Sequence, residues 1–201
     1  MDPQWHEPLE EVVKKSAEQA LALSWAHEAA QRFCMNWNSY LMFPSIIFSA
    51  LVGVGSVGSS ELLPFTGSNQ LVGLISLVVS ILQTIQNYYG FARRSEAHRV
   101  TSLSYAKLHS YLSLQLSLPR NERKPAGDVI DYVRIETEKL QDVAPLMPQH
   151  VKEMFHSKFG TMTDFSMPPL LNGLEPVNVT QSDMSLTPQI ERQRPVVRVE
   201  V

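Results

Sequence analysis

The chain has 201 residues, 17 Lys and Arg against 20 Asp and Glu, a net charge of −3 and 44% hydrophobic residues. That balance excludes a dedicated nucleic-acid binder, which carries a basic surplus, and the single cysteine, Cys34, excludes an intrachain disulfide and a multi-cysteine zinc site. The charges are unevenly spread: from Phe33 to Ala92 one position in 60 is charged, Glu61, whereas the other 141 positions hold 36 charges.

Residues 1–36 read as an N-terminal amphipathic helical region, with the helix over 5–36. Leu9, Val12, Val13, Ala17, Ala20, Leu21, Ala29 and Phe33 recur at three- and four-residue steps. Glu10, Glu11, Lys14, Lys15 and Glu18 fill the other side, and the helix is expected to run into the uncharged block.

That block, residues 37–92, divides into two apolar stretches of about 41–57 and 70–91, around a Gly-, Ser-, Pro- and Asn-rich turn over 58–69. At about 1.5 Å per residue each stretch reaches roughly 25–33 Å, the thickness of a bilayer's hydrocarbon core. The alternative is a helical hairpin buried at the centre of a soluble bundle. Trp37 and Tyr40 open the first stretch and Tyr88 and Tyr89 close the second, so a membrane hairpin puts all four aromatics at one interface. Arg93, Arg94, Arg99 and Lys107 follow closely, and the connecting turn has no Lys or Arg. The bias of basic residues then predicts both termini on the cytoplasmic side.

Within the spans, Ser45, Ser49 and Gly53 recur at i, i+4 and i+8, and Gly73, Ser76, Ser80, Thr84 and Asn87 form a second small or polar ridge with Gln83 beside it. Such residues pack spans together or pair neighbouring copies; lining a polar pore in an oligomer is the second reading of Gln83, Thr84 and Asn87. Pro44 is expected to start or kink the first span.

After the second span the helix is expected to continue unbroken through 93–118, with Val100, Leu103, Leu108, Tyr111 and Leu112 as its apolar face. Arg93, Glu96 and Arg99 allow an ion-pair ladder, and the basic residues at headgroup level suit an anionic leaflet. A linker over 119–125 precedes a helix capped by Asp128, running to about Val143 with Val129, Val133, Glu136 and Leu140 as a stripe. Pro145 and Pro148 break it before a short helix over about 149–158. Residues 93–159 thus make a small cytoplasmic helical bundle. Residues 160–201 hold five of the 13 prolines and read as an extended tail. Its end, with Pro195, Val196, Val197 and Val199, is β-prone and suited to docking on the edge of a partner's sheet.

Other patterns lose their usual meaning in this setting. Gly53, Gly55 and Gly58 fit G-x-G-x-x-G, but Pro64 follows and no acidic residue stands about 20 positions on, so they read as helix-packing residues. His6, His27, His98, His109, His150 and His156 have no metal-ligand spacing and read as surface or interface residues. Cys34 reads as a buried small residue at the membrane edge, with palmitoylation as the alternative. Asn178-Val-Thr180 matches a glycosylation acceptor on the wrong side of the membrane. No catalytic, cofactor or metal site is predicted.

The order of these pieces resembles the SLATT superfamily of two-span membrane proteins. The resemblance rests on residues 26–33 (AHEAAQRF), 38–49 (NSYLMFPSIIFS), 82–87 (LQTIQN) and 95–99 (SEAHR), and covers roughly residues 20–159. It is strongest to the versions encoded by nucleocytoplasmic large DNA viruses, which share the Pro-Ser-Ile-Ile and Ser-Glu-x-His-Arg pieces. Bacterial relatives act as membrane-perturbing effectors, and the family assigns no chemical task to Ser95, Glu96, His98 or Arg99. The expected protein is therefore all-α: a two-span membrane hairpin with long flanking helices, a small cytoplasmic bundle and a Pro-rich tail. The expected function is that of a non-enzymatic, membrane-anchored structural component of a viral particle, in its internal membrane. Its expected partners are the lipid bilayer and capsid proteins, with a homo-oligomer possible in the hairpin and no nucleic acid. An oligomeric pore or membrane-disrupting effector is the alternative.

Overall fold

The structure, a computed structural model, describes residues 4–58, 68–162 and 164–172. Among them there is no strand. In chain order the elements are α1 (Glu7–Gly58), α2 (Ser68–Tyr89), α3 (Phe91–Ser117), a 3-10 turn (Arg120–Glu122), α4 (Ala126–Val143), α5 (Gln149–Phe159) and α6 (Pro169–Asn172). Most of the turn expected over 58–69, and the tail from residue 173 with Asn178, Thr180, Pro195, Val196, Val197 and Val199, lie outside the described residues.

α1 is one helix of 52 residues, about 78 Å long. The amphipathic N-terminal segment and the first apolar stretch are thus continuous. Pro44 sits inside this helix and starts nothing; beside it, the Ser45 hydroxyl donates to the Leu41 carbonyl at 2.8 Å. Gly53, Gly55 and Gly58 are helical, so no phosphate-binding turn exists there.

Along α1, Val13, Ala17, Ala20, Ser24, His27, Gln31, Cys34, Asn38, Leu41, Ser45, Phe48, Val52 and Gly55 alternate steps of four and three, and each is buried or half-buried. That is the 3.5-residue period of a coiled-coil seam. The helix across it is α3, running in the opposite direction. His109 Nδ1 bonds the Ala17 carbonyl at 2.9 Å, the Ser102 hydroxyl donates to the Ser24 carbonyl at 2.9 Å, and the Ser95 hydroxyl donates to the Gln31 carbonyl at 3.3 Å. The three carbonyls are seven residues apart on α1, and so are their partners on α3. Small side chains on α1 permit this: with Ala17, Ala20 and Ser24 in the seam, short side chains of α3 reach the opposing backbone. A helical carbonyl has a second lone pair to offer.

The apolar face expected on α3 holds at Leu108 and Leu112, which are buried, and at Tyr111, which is half-buried, but fails toward the start of the helix, where the seam is polar. Val100 and Leu103 are 52% and 50% exposed, and the buried residues are His98, Thr101, Ser102, Tyr105, Leu108, Leu112 and Gln115. Val12 and Leu21 of α1 are likewise exposed. The expected unbroken passage from α2 into α3 is also corrected. Gly90 stands between them at φ 57°, a left-handed conformation that glycine adopts without a Cβ penalty.

α4 and α5 cover the N-terminal half of α1. On α4 the expected stripe holds, with Val129 and Leu140 buried and Val133 and Glu136 half-buried. Its cap is Pro125 rather than Asp128, which lies in the first turn, where a carboxylate favours the helix dipole. Val151 and Phe155 of α5 are buried, and the Trp25 ring meets Phe155 and Phe159 at 5.7 and 5.1 Å. Residues 164–172, placed in the extended tail by the sequence, instead pack on the helices. Met167 and Leu171 are buried against the helices, and the Ser166 amide donates to the Glu18 carboxylate at 2.8 Å. At the far end, Glu10 accepts from Arg120 and Arg123 at 2.6–2.9 Å, joining the start of α1 to the segment after α3.

Ser102 both donates to the Ser24 backbone and lies 3.4 Å from its hydroxyl. Ser102→Ala is therefore expected to destabilise the fold by about 1–2 kcal/mol. Ser110→Ala, at an exposed position of the same helix, should stay within about 0.5 kcal/mol. Denaturant unfolding followed by circular dichroism checks both.

Candidate functional site

Two stretches of helix are long and apolar enough to cross a membrane, one within α1 and one beginning in α2. Only 11% and 6% of their apolar windows are buried, whereas the core helices of a water-soluble bundle are mostly buried. The apolar surface therefore faces outward.

α1 and α2 pack against each other, and their buried or half-buried positions include Leu41, Ser45, Phe48, Val52 and Gly55 on one helix and Val72, Ile75, Ser76, Val79, Leu82 and Gln86 on the other. Of the residues singled out in the sequence, Ser45 and Ser76 are among these positions. Ser49, Gly53, Gly73, Ser80, Gln83, Thr84 and Asn87 are exposed. A Cβ at Gly53 or Gly73 would meet nothing within 4 Å, so neither glycine brings α1 and α2 closer together. Ser49 and Gly53 follow the seam positions Phe48 and Val52 by one residue. Gly73, Ser80 and Asn87 follow Val72, Val79 and Gln86 in the same way. In two antiparallel right-handed helices, corresponding flanks of the seam lie on one side of the pair. Small and polar residues of both helices thus share one exposed side.

At the other end of these stretches the four aromatics expected at an interface come together. Trp37 lies 6.5 Å from Tyr40 and stacks on Phe91 at 6.3 Å; Phe91 stacks on Tyr89 at 5.3 Å, and Tyr89 meets Tyr88 at 5.2 Å. Phe91, which the sequence reading passed over, is the link between the two helices. Its position just after the span, next to a glycine, was the available signal. Tyr40 and Tyr88 are 72% and 82% exposed, so the belt faces outward. Below it, Arg93, Arg94 and Arg99 are exposed. Arg99 forms a two-pronged pair with Glu96 at 2.8 and 2.7 Å. Cys34 is buried in the seam, where burial pushes its thiol pKa up, so it presents no sulfur for acylation.

The seam also contains a pair the sequence reading missed. His27 and His98, expected at a surface or interface, are buried, with their Nδ1 atoms 2.9 Å apart, and the Tyr105 ring lies parallel to His27 at 5.8 Å. Their signal was the 3.5-residue period, which places His27 on the seam. Nε2 of His27 is enclosed without a partner. A buried N–H without an acceptor is rarer than an unmet lone pair, which assigns His27 as the Nδ1–H donor and His98 as the acceptor. Burial, and then the neighbouring His98, push the His27 pKa down to about 4; burial, and then Arg94, lower that of His98. Among the described residues no group of three His, Cys, Asp or Glu stands together to hold a metal ion.

Compared with protein-family models, curated proteins and solved structures, the chain matches none.

A histidine whose folded pKa is depressed leaves the unfolded state with more bound protons, so stability rises with pH across that interval. The contribution is complete above about pH 6.5 and is lost as pH falls toward about 4. The Glu10 clamp does not titrate there, because hydrogen bonds from Arg120 and Arg123 hold its pKa at about 2. The thermal midpoint is expected to fall by about 5 °C or more between pH 6.5 and 4.5. Replacing both histidines (His27→Phe with His98→Leu) should flatten that dependence in a scanning calorimetry series.

Proposed function

We propose that this chain is an integral membrane protein with a structural, non-enzymatic role. In this reading α1 and α2 cross a bilayer as a hairpin, with Trp37, Tyr40, Tyr88 and Tyr89 at the interface. Both termini, with α3, α4 and α5, lie on the cytoplasmic side. The observation that carries the reading is the belt itself: exposed aromatics from two helices meet at one level, with outward apolar surface on one side and basic residues on the other. The helical cluster around the N-terminal half of α1, together with the chain beyond residue 172, serves to hold neighbouring proteins. The resemblance to versions from large DNA viruses supports a viral particle with an internal membrane as the assembly, and capsid proteins as those neighbours. Detection of the chain in purified particles tests that part.

A second reading, a self-associated pore or membrane-disrupting effector, is favoured by the shared exposed side with Ser49, Gly53, Gly73, Ser80, Gln83 and Asn87. Conductance in planar bilayers that changes on Gln83→Leu or Asn87→Leu supports it, and silent bilayers reject it.

For the membrane reading, carbonate washing is expected to leave the chain in the vesicle pellet. In a Cys34→Ala background, Ser110→Cys should react with a membrane-impermeant maleimide only from the cytoplasmic side, and Ser60→Cys only from the opposite side. Release by carbonate, or labelling of both from one side, rejects the hairpin.

A further inference from the structure

The basic residues below the aromatic belt are not equivalent. The Arg99 charge is spent on Glu96, and Arg32 pairs with Glu28 at 3.0 Å. Arg93 and Arg94 are exposed and have no ion-pair partner among the described residues. In sequence, no Asp or Glu lies between Glu28 and Glu96 except Glu61, between the two apolar stretches.

Helix direction separates the two sides further. Side chains lean toward the N-terminus of their own helix. α3 begins at Phe91, at the belt, so the Cα–Cβ bonds of Arg93 and Arg94 tilt toward it, while the Arg94 charge also acts on His98, one turn further on. α1 passes the belt in the opposite sense, so Arg32 leans away from it. Gly90, in its left-handed turn, starts α3 afresh at this level, so Arg93 and Arg94 stand within one turn of Phe91, on which Trp37 stacks. Two forked donors on successive residues, about 100° apart around the helix, with no carboxylate paired to either among the described residues, can take the phosphate and the carboxylate oxygens of an anionic phospholipid from two sides at headgroup depth.

On the membrane reading given above, we propose that Arg93 and Arg94 form a binding site for the headgroup of an anionic phospholipid on the cytoplasmic leaflet. The site selects phosphatidylserine-type headgroups over zwitterionic ones and fixes the height of the hairpin in the bilayer. Lys107, about 20 Å further along α3, lies beyond a Debye length at physiological salt and takes no part.

Trp37 reports on this site. The protein is reconstituted in vesicles of phosphatidylcholine with a fixed minor fraction of phosphatidylserine, and acyl-chain bromine is placed on one lipid or the other. Trp25 lies about 18 Å further from the bilayer along α1 and Trp5 further still, so quenching of Trp37 stands above a constant background. Quenching per brominated lipid is expected to be about threefold or more greater for phosphatidylserine. R93Q/R94Q should bring the ratio to about one, while R93K/R94K retains most of the preference and K107Q leaves it unchanged. If R93Q/R94Q fails to insert, R93Q and R94Q singly are read for the same fall. A ratio of one in the unaltered protein, a ratio that survives loss of both arginines, or an equal fall in K107Q overturns the site. Absence of quenching by either lipid overturns the membrane placement itself and with it the site.

Discussion

Three carbonyls of α1, seven residues apart, accept hydrogen bonds from three side chains of α3 with the same spacing. These rungs set the distance and register between the two long helices. Each contributes about 1 kcal/mol, but a shifted register would leave several buried polar groups unpaired at once, and that penalty makes one alignment preferred. The small residues of α1 are part of the same arrangement, since a leucine at position 17 or 24 would separate the helices beyond reach of the backbone. The His27–His98 pair sits between two rungs and obeys the same geometry.

The phase of the seam does not change where the chain becomes apolar. Asn38, Leu41, Ser45, Phe48, Val52 and Gly55 continue the positions begun at Val13, so the register fixed by polar rungs below the belt is carried into the contact with α2 above it. In water the lower part would be held by burial of Leu108, Leu112 and their neighbours. In lipid, helix contact depends on packing and polar bonds instead, and a seam that is already aligned lowers the cost of assembling the upper part. The two sides differ in continuity. α1 passes the belt as an unbroken helix, whereas its partner turns at Gly90 between α2 and α3.

Electrostatics sort the residues around the belt. Glu28, Glu96 and Glu10 each engage an arginine, which leaves Arg93 and Arg94 as the cations facing outward at the level of the aromatics. The two histidines, by contrast, are kept neutral by burial. Charge at the belt and its absence in the seam follow from the same cause, access to water.

Much of the architecture was legible in the sequence because it depends on local pattern. The uncharged run of 60 positions identifies the two apolar stretches, the turn residues separate them, and Pro145 and Pro148 end α4 where the structure ends it. The aromatics at 37, 40, 88 and 89 were identifiable from their place at the ends of those stretches. The sequence alone placed most of the buried faces, Val13, Ala17 and Ala20 on α1 and Leu108 and Leu112 on α3 among them, and erred at Val12, Leu21, Val100 and Leu103, which are exposed. Apolar residues at helical spacing put Val100 and Leu103 inside, because that pattern takes a buried face to be a greasy one, and the histidines, read as surface or interface residues, carried no apolar signal that His27 and His98 pair in the interior. Only the tertiary structure decided otherwise: with alanine and serine across the seam, the backbones come close enough for polar side chains to find partners in the interior. It likewise drew residues 164–172 onto the body and paired Arg99 with Glu96 while giving Arg93 and Arg94 no ion-pair partner among the described residues, since pairing and burial depend on which segments meet in space.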